Sequence, residues 1–229
     1  MHVEEPIVQQ IAEDGFAILP AVLGATECDA LADHVAGGAS ASGGTRKVLQ
    51  HAWCRALAGQ LRQHPLLSPL LSLDMVAMQC TYFEKSAARN WLVPLHQDLS
   101  IPVAHRVDHP SLGPWSEKEG ALFVQPPCAL LQQLIAVRVH IDACTANDGA
   151  LRVLAGSHRL GMLGTEAATA ARQTHTEQLC TLERGGVLMM RPLLLHASSK
   201  STGSSQRRVL HFLFGPATPP LGLQWQDAV

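Results

Sequence analysis

The sequence predicts a mainly β fold, a jelly roll or related double-sheet barrel, behind an N-terminal layer of helices. Three observations carry this expectation. Before residue 71 apolar residues recur every three or four positions, and after it they alternate or are β-branched. The later part holds eight short strand-like runs separated by Gly and Pro clusters. The length of 229 residues is long for an average domain, but suits one β sandwich or barrel. We therefore expect one unit over 1–229, with a helical packing layer over 1–70 and a β core over 71–229.

In chain order, helices are expected over 4–13 and 25–35. There Ile7 and Ile11, then Cys28, Leu31 and Val35, fall on single helix faces, and Thr26 offers a cap. GFAILP between them reads as an edge strand closed by Pro20, and the small, uncharged stretch 37–46 as a loop. A third helix is expected over 49–62, stopped by Pro65. The strand candidates that follow are VAMQCTYFE, PLHQDLSIP, ALFVQ, LIAVRVHID, ALRVL, GVLMM, LLLHA and RRVLHFLF. Two insertions interrupt them. Residues 105–120 are too rich in Gly, Pro and charge to be regular, and 161–178 is partly helical; both are expected to flank a pocket mouth.

Composition narrows the function. With 47% hydrophobic and 16% charged residues the chain collapses rather than remaining disordered. A net charge of -2 offers no footprint for nucleic acid or anionic lipid. No apolar run reaches the ~18 residues that a membrane span needs, and MHVEEPIVQQ does not read as a signal peptide. The six cysteines lie far apart, mostly within apolar runs, as buried hydrophobes of a reducing compartment. A cytoplasmic location follows as the expectation. Twelve histidines stand out, because His is the commonest metal ligand.

In PLHQDLS, His96 and Asp98 are two apart on an expected strand, so both side chains leave the same face. Chance alone gives about half an occurrence of H-x-D in such a chain, and a second copy does occur at His140 and Asp142. A third ligand is needed, and RPLLLHASS supplies it at His196. Two His and one carboxylate leave adjacent coordination positions open, as in non-haem Fe(II) oxygenases. Eleven residues later, Arg207 can grip a distal carboxylate of a dicarboxylic cosubstrate in bidentate fashion. By alternation Arg207, Val209 and His211 face the site, and Leu210, Phe212 and Phe214 face the helices.

H-x-D, a distant His in LLLHASS and an Arg eleven residues on together resemble the phytanoyl-CoA dioxygenase family of Fe(II)- and 2-oxoglutarate-dependent oxygenases. NDGALRVLAGSHRLG resembles that family's N-G-x-L-x-V-x-P-G-S-H turn, with Ala155 in place of the usual Pro, and GFAILPAVLGATECDAL resembles its N-terminal strand and helix. The resemblance spans nearly the whole chain. It implies a double-stranded β-helix, iron held by His96, Asp98 and His196 as the catalytic centre, and Arg207 on the C5 carboxylate of 2-oxoglutarate. Less directly, it implies cosubstrate contacts from Ser198, Gln79 and Thr81. Arg138 stands where some members carry an aromatic residue, and could meet the cosubstrate, the substrate or Asp142.

His140 and Asp142 read as a pair on the pocket wall or behind it, with substrate proton transfer as the alternative. His158 reads as a structural histidine, His211 as pocket wall or core, and Arg208 as a solvated or sheet-edge charge. The function expected is oxidation of an unidentified small molecule with O2, converting 2-oxoglutarate to succinate and CO2. Related halogenases carry a small residue at the position of Asp98, so hydroxylation is favoured, with desaturation, epimerisation and ring formation left open. The rival is a non-catalytic or non-redox, cupin-like metal-binding jelly roll that binds or senses a ligand. Against it, the chain has no H-x-H with a nearby Glu.

Overall fold

The computed structural model describes residues 4–36 and 44–229. The chain opens with α1 (Glu4–Glu13), β1 (Phe16–Leu19) and α2 (Ala25–Ala36). The start of α2 is held by Glu27, whose carboxylate accepts from Gly24 N at 2.8 Å, and Thr26 lies inside the helix. Of the loop expected over 37–46, residues 37–43 lie outside the described residues. Residues 44 and 45 form a short strand, β2 (Gly44–Thr45), paired with Phe83 and Tyr82. The third helix, α3 (Ala52–Gln63), follows a tight turn at Val48–Gln50 and ends where His64, extended before Pro65, leaves helical geometry.

The remaining elements are β3 (Met75–Lys85), β4 (Val93–His96), β5 (Ile101–Val103), β6 (Trp115–Lys118), β7 (Ala121–Val124), α4 (Cys128–Leu131) and β8 (Ile135–His140). After them come β9 (Leu151–Leu154), α5 (Thr165–Ala171), β10 (Glu177–Cys180), β11 (Val187–Met190), β12 (His196–Ser198) and β13 (Arg207–Pro216). A major sheet of order β1-β11-β8-β13-β3-β2 faces a minor sheet β10-β9-β12-β4, with a three-stranded sheet β5-β7-β6 beside them. The result is the expected mainly β, jelly-roll type of fold with helices on one side, built from open sheets.

The two faces of the major sheet bury different partners. Leu210, Phe212 and Phe214 pack with Ile11, Cys28, Leu31, Leu57 and Leu61 of the helical layer, as alternation along β13 requires. Met78, Ala136 and Leu188 on the opposite face pack with Leu151 and Val153 of the minor sheet and with Ile101 and Val124. Five of the six cysteines are buried, and all six are free thiols. No helix of the described residues is long and apolar enough to cross a membrane.

Four local expectations are corrected. PLHQDLSIP is not one strand: β4 ends at His96, and β5 begins at Ile101 in another sheet. The link between them is held by Asp98 N donating to Pro192 O and by the buried Gln97 amide donating to Leu193 O and Gly161 O. LLLHA contributes only its end to a strand, since β12 begins at His196. Residues 105–120 contain β6, hairpinned to β7 through Glu119 and Gly120, both at positive φ; this mirror-image turn matches strand twist although it lacks the usual Asn-Gly signal. The end of 161–178 starts β10, and α5 lies behind the minor sheet. There Ala168 and Ala171 cover Leu195, with Leu95 packed against them, on the face opposite His96 and His196. No residue of 161–178 lines the central cavity.

Candidate metal centre

The two histidines arrive by strand pairing. His196 of β12 sits opposite His96 of β4, and their ring centroids are 4.2 Å apart. Each ring uses Nδ1 on the carbonyl two residues before it, His96 on Pro94 O and His196 on Leu194 O, both at 2.9 Å. A carbonyl only accepts, so in its neutral form each ring carries the proton on Nδ1 and presents a bare Nε2. Asp98 completes the group from the link after β4. His96 Nε2 lies 3.7 Å from Asp98 Oδ1, and His196 Nε2 lies 3.7 Å from Asp98 Oδ2.

One donor atom from each residue falls within 4.8 Å of the others. Bonds of about 2.1 Å to a shared ion place donors roughly 3 to 4.2 Å apart, so small inward movements suffice. The protonation states suit a cation. Burial pushes His196 down to about 4 against the pull of Asp98, which leaves the ring neutral near pH 7. Burial alone would raise Asp98, but His196, His211, His96 and Arg138 outweigh it and hold the carboxyl below its usual range. Two bare imidazole nitrogens and one carboxylate fit a divalent first-row metal with positions left open.

A third histidine faces the same carboxylate in the opposite tautomer. His211 Nε2 is 3.9 Å from Asp98 Oδ2, while its Nδ1 is 2.8 Å from Arg138 Nη1. A guanidinium only donates, so Nδ1 accepts and the proton sits on Nε2. His211 therefore offers Asp98 a donor and has no bare nitrogen aimed at an ion. Burial and the neighbouring Arg138 depress it to about 3, so it is neutral too.

These groups line a cavity of about 380 Å³ between the sheets, within the range of small-molecule sites. Gln79, Thr81, Phe83 and Lys85 enter it at alternate positions of β3, opposite Leu213, His211, Val209 and Arg207 of β13. Arg138 enters from β8 beside His211. All eight site residues expected from the sequence, His96, Asp98, His196, Arg207, Ser198, Gln79, Thr81 and Arg138, line this one cavity. Thr81 Oγ1 accepts from the Gln79 amide at 2.8 Å.

One end of the cavity is cationic. The buried Arg207 donates from Nη1 to Gly149 O at 2.5 Å, and its Nε has no hydrogen-bond partner. Beside it the buried Lys85 donates to Ser198 Oγ at 2.7 Å and to Ser199 O at 2.6 Å. The Ser198 hydroxyl accepts from Lys85 and so has its own proton left to donate. Burial, then Arg207, lowers Lys85 to about 8. Burial and Arg207 likewise lower Arg138 to about 10. Asp98 is the one carboxylate among the described residues lining the cavity.

The sequence missed Lys85, although the period of two that places Gln79 and Thr81 inside places Lys85 there as well. Lys118 and Arg46 also reach the cavity, from a hairpin and from the bend after a short strand, neither of which carries a local signal. Other readings are corrected. Arg208 is not a solvated charge: its Nε and Nη2 grip Asp142 at 2.8 and 2.7 Å, with the pair only 17% and 20% exposed. Asp142 is thus engaged away from both Arg138 and His140, and His140 is buried with Nδ1 unpartnered. His158 donates to Ala12 O at 3.2 Å, pinning the turn Ser157–Leu160 to α1, a structural role.

Solved structures with the same fold include the epimerase SnoN from nogalamycin biosynthesis, in complex with Fe3+, alpha ketoglutarate and nogalamycin RO. It has a TM-score of 0.70 at 16% identity, over 98% of this chain and 89% of that one. HygX from Streptomyces hygroscopicus with nickel and 2-oxoglutarate bound gives 0.64 at 16% identity, over 94% and 88%. EctD from S. alaskensis in its apoform gives 0.67 at 16%, over 99% and 84%. Among curated proteins none matches the sequence. The profile of the phytanoyl-CoA dioxygenase (PhyH) family matches residues 11–209, which takes in the H-x-D pair, the distal His196 and Arg207. On that match the chain belongs to the phytanoyl-CoA dioxygenase family, whose metal is Fe(II) and whose cosubstrate is 2-oxoglutarate.

Proposed function

We propose that this chain hydroxylates a small organic molecule, with Fe(II) held by His96, Asp98 and His196 and 2-oxoglutarate anchored at the Arg207 end of the cavity. The carrying observation is the tautomer pattern: two bare Nε2 atoms and one carboxylate within 4.8 Å of one another, next to a cationic end that has no acid of its own. When bound, the iron and 2-oxoglutarate supply the oxidising chemistry, in which O2 and the cosubstrate become succinate and CO2 as one oxygen atom enters the substrate.

The protein's own residues hold and orient. Arg207 presents its planar fork to the C5 carboxylate, Ser198 adds a hydroxyl donor, and Lys85 holds that hydroxyl in place while adding charge. Thr81 and Arg138 line the path between this end and the metal ligands, as further polar contacts to the cosubstrate, and Gln79 holds the Thr81 hydroxyl from the far side. His211 offers its Nε2 proton to Asp98 and keeps the carboxylate turned toward the ion. Asp98 itself fills a coordination position, which favours hydroxylation over halogenation. Leu99, Phe123 and Leu213 give the remaining wall an apolar surface for the substrate's carbon skeleton.

The test is succinate release from 2-oxoglutarate under air after loading with Fe(II). Slow, substrate-independent release is expected from the native chain and none from His196→Ala, whose fold is checked by circular dichroism. Tight metal binding without any succinate, from a properly loaded protein, would favour the rival metal-binding, ligand-sensing role.

A further inference from the structure

The end of the cavity remote from Arg207 has a charge that the cosubstrate does not answer. Along β13, Leu213 lies six residues from Arg207, which is about 20 Å of strand at ~3.3 Å per residue. Gln79 is its partner on β3. Around Gln79 stand Arg46, Lys118 and Phe123, which also line a small adjoining recess of about 110 Å³. Lys47 bridges to Cys80, which fixes the segment carrying Arg46 beside this part of β3.

Lys118 has no ion-pair partner among the described residues. Its ammonium donates to Ser100 Oγ at 2.6 Å and lies 4.6 Å from the centre of the Phe123 ring. Arg46 is paired with Glu119 at 2.8 Å, and the same carboxylate accepts from Thr45 Oγ1 at 2.9 Å and Arg46 N at 3.0 Å. This clamp joins β2 to the β6–β7 hairpin and holds Lys118 over the cavity. Burial, then Arg46, lowers the Lys118 pKa, and the pull of Asp98 does not offset them.

The charge balance points the same way. Lys85, Arg138 and Arg207 bring three positive charges and Asp98 one negative, and a divalent ion adds two more. A dicarboxylate removes only two, and Lys118 is then still unanswered. A neutral substrate would leave that excess in a half-buried cavity.

We propose that the substrate carries an oxyanion group, a carboxylate or a phosphate, bound by Lys118 with Arg46 and Ser100, while its carbon skeleton lies along Phe123 and Leu213 toward the metal ligands. This rests on the reading of the site as an Fe(II) and 2-oxoglutarate centre. It assigns Lys118 as a residue that determines substrate specificity.

The test uses the whole protein loaded with Mn(II) and 2-oxoglutarate, with inorganic phosphate and acetate as separate probes followed by 31P and 1H relaxation. Saturable relaxation of at least one probe is expected, weakened about tenfold or more in Lys118→Met, as for loss of one charge-assisted contact. Lys118→Arg should retain it, and so should Arg208→Met, which lies outside the cavity. The probe bound more tightly identifies the anion class. No saturable binding of either probe, or equal binding by Lys118→Met, overturns the subsite while leaving the metal and cosubstrate reading in place. Failure of 2-oxoglutarate itself to bind the Mn(II)-loaded protein removes that reading, and the subsite with it.

Discussion

Arg138 Nη1 stands 2.8 Å from His211 Nδ1, and this single contact decides what the third histidine of the centre can do. The donor can only donate, so the imidazole proton is forced onto Nε2, the atom 3.9 Å from Asp98. His96 and His196, whose Nδ1 atoms donate to carbonyls, have the opposite tautomer. Three similar rings around one carboxylate are thereby divided into two that turn a bare Nε2 toward it and one that turns an N–H.

His211→Phe should therefore lower Co(II) affinity about 10- to 100-fold, the usual effect of removing a partner that orients a metal ligand. His211→Gln, whose amide can still donate to Asp98, should stay within a few-fold of the native protein. Titration followed by the visible Co(II) spectrum measures both. Equal affinity in all three proteins would show that His211 only fills space.

Arg207 and Arg208 are neighbours of equal charge with opposite surroundings. Arg207→Ala should weaken 2-oxoglutarate binding by about 2 to 5 kcal/mol, or roughly 30-fold to several-thousand-fold. Arg208→Ala should leave that affinity nearly unchanged and lower stability by about 1 to 3 kcal/mol, because it breaks the grip on Asp142. Calorimetric titration with 2-oxoglutarate and urea melts separate the two effects. Equal losses of affinity would mean that long-range charge, rather than the face of β13, controls cosubstrate binding.

The Lys85 ammonium, lowered from 10.5 to about 8, makes cosubstrate binding depend on pH. The anion prefers the protonated form, so affinity should fall as pH rises above about 8, approaching tenfold per unit. Stability of the free protein should move the other way. Between pH 8 and 10.5 the unfolded chain holds a proton that the folded one has released, so this group's contribution rises with pH. Binding constants at pH 7 to 9.5 for the native protein and Lys85→Met give the check, with the variant expected to be weaker at pH 7 and nearly flat.

Gly149 supports Arg207 through its carbonyl and sits at φ +66°, where an added Cβ would lie 2.5 Å from Ser199 O. Gly149→Ala should cost about 1 to 3 kcal/mol in a denaturant melt, and should also weaken 2-oxoglutarate binding as Arg207 loses its seat. A stability loss with unchanged cosubstrate affinity would mean that Arg207 is positioned by other contacts.

What the sequence determined by itself is what one segment can encode. The helical spacing of Cys28, Leu31 and Val35 and the alternation along β13 state which face of each element is buried. Hence the helical layer, the mainly β core, the inward side of Arg207 and its separation from Phe212 were legible, as was the grouping of H-x-D with His196. The tertiary structure decided what depends on partners far away in the chain. Lys85 meets Ser198 across 113 residues, and Thr45 meets Glu119 across 74. No local period records such pairings, which arise only when sheets close over one another. For the same reason Asp98 proved to lie beyond its strand, α5 behind the minor sheet, and Arg208 on Asp142. The tautomer of His211 also belongs here, because an imidazole's proton goes to whichever nitrogen faces an acceptor, and only the fold brings Arg138 to the other one.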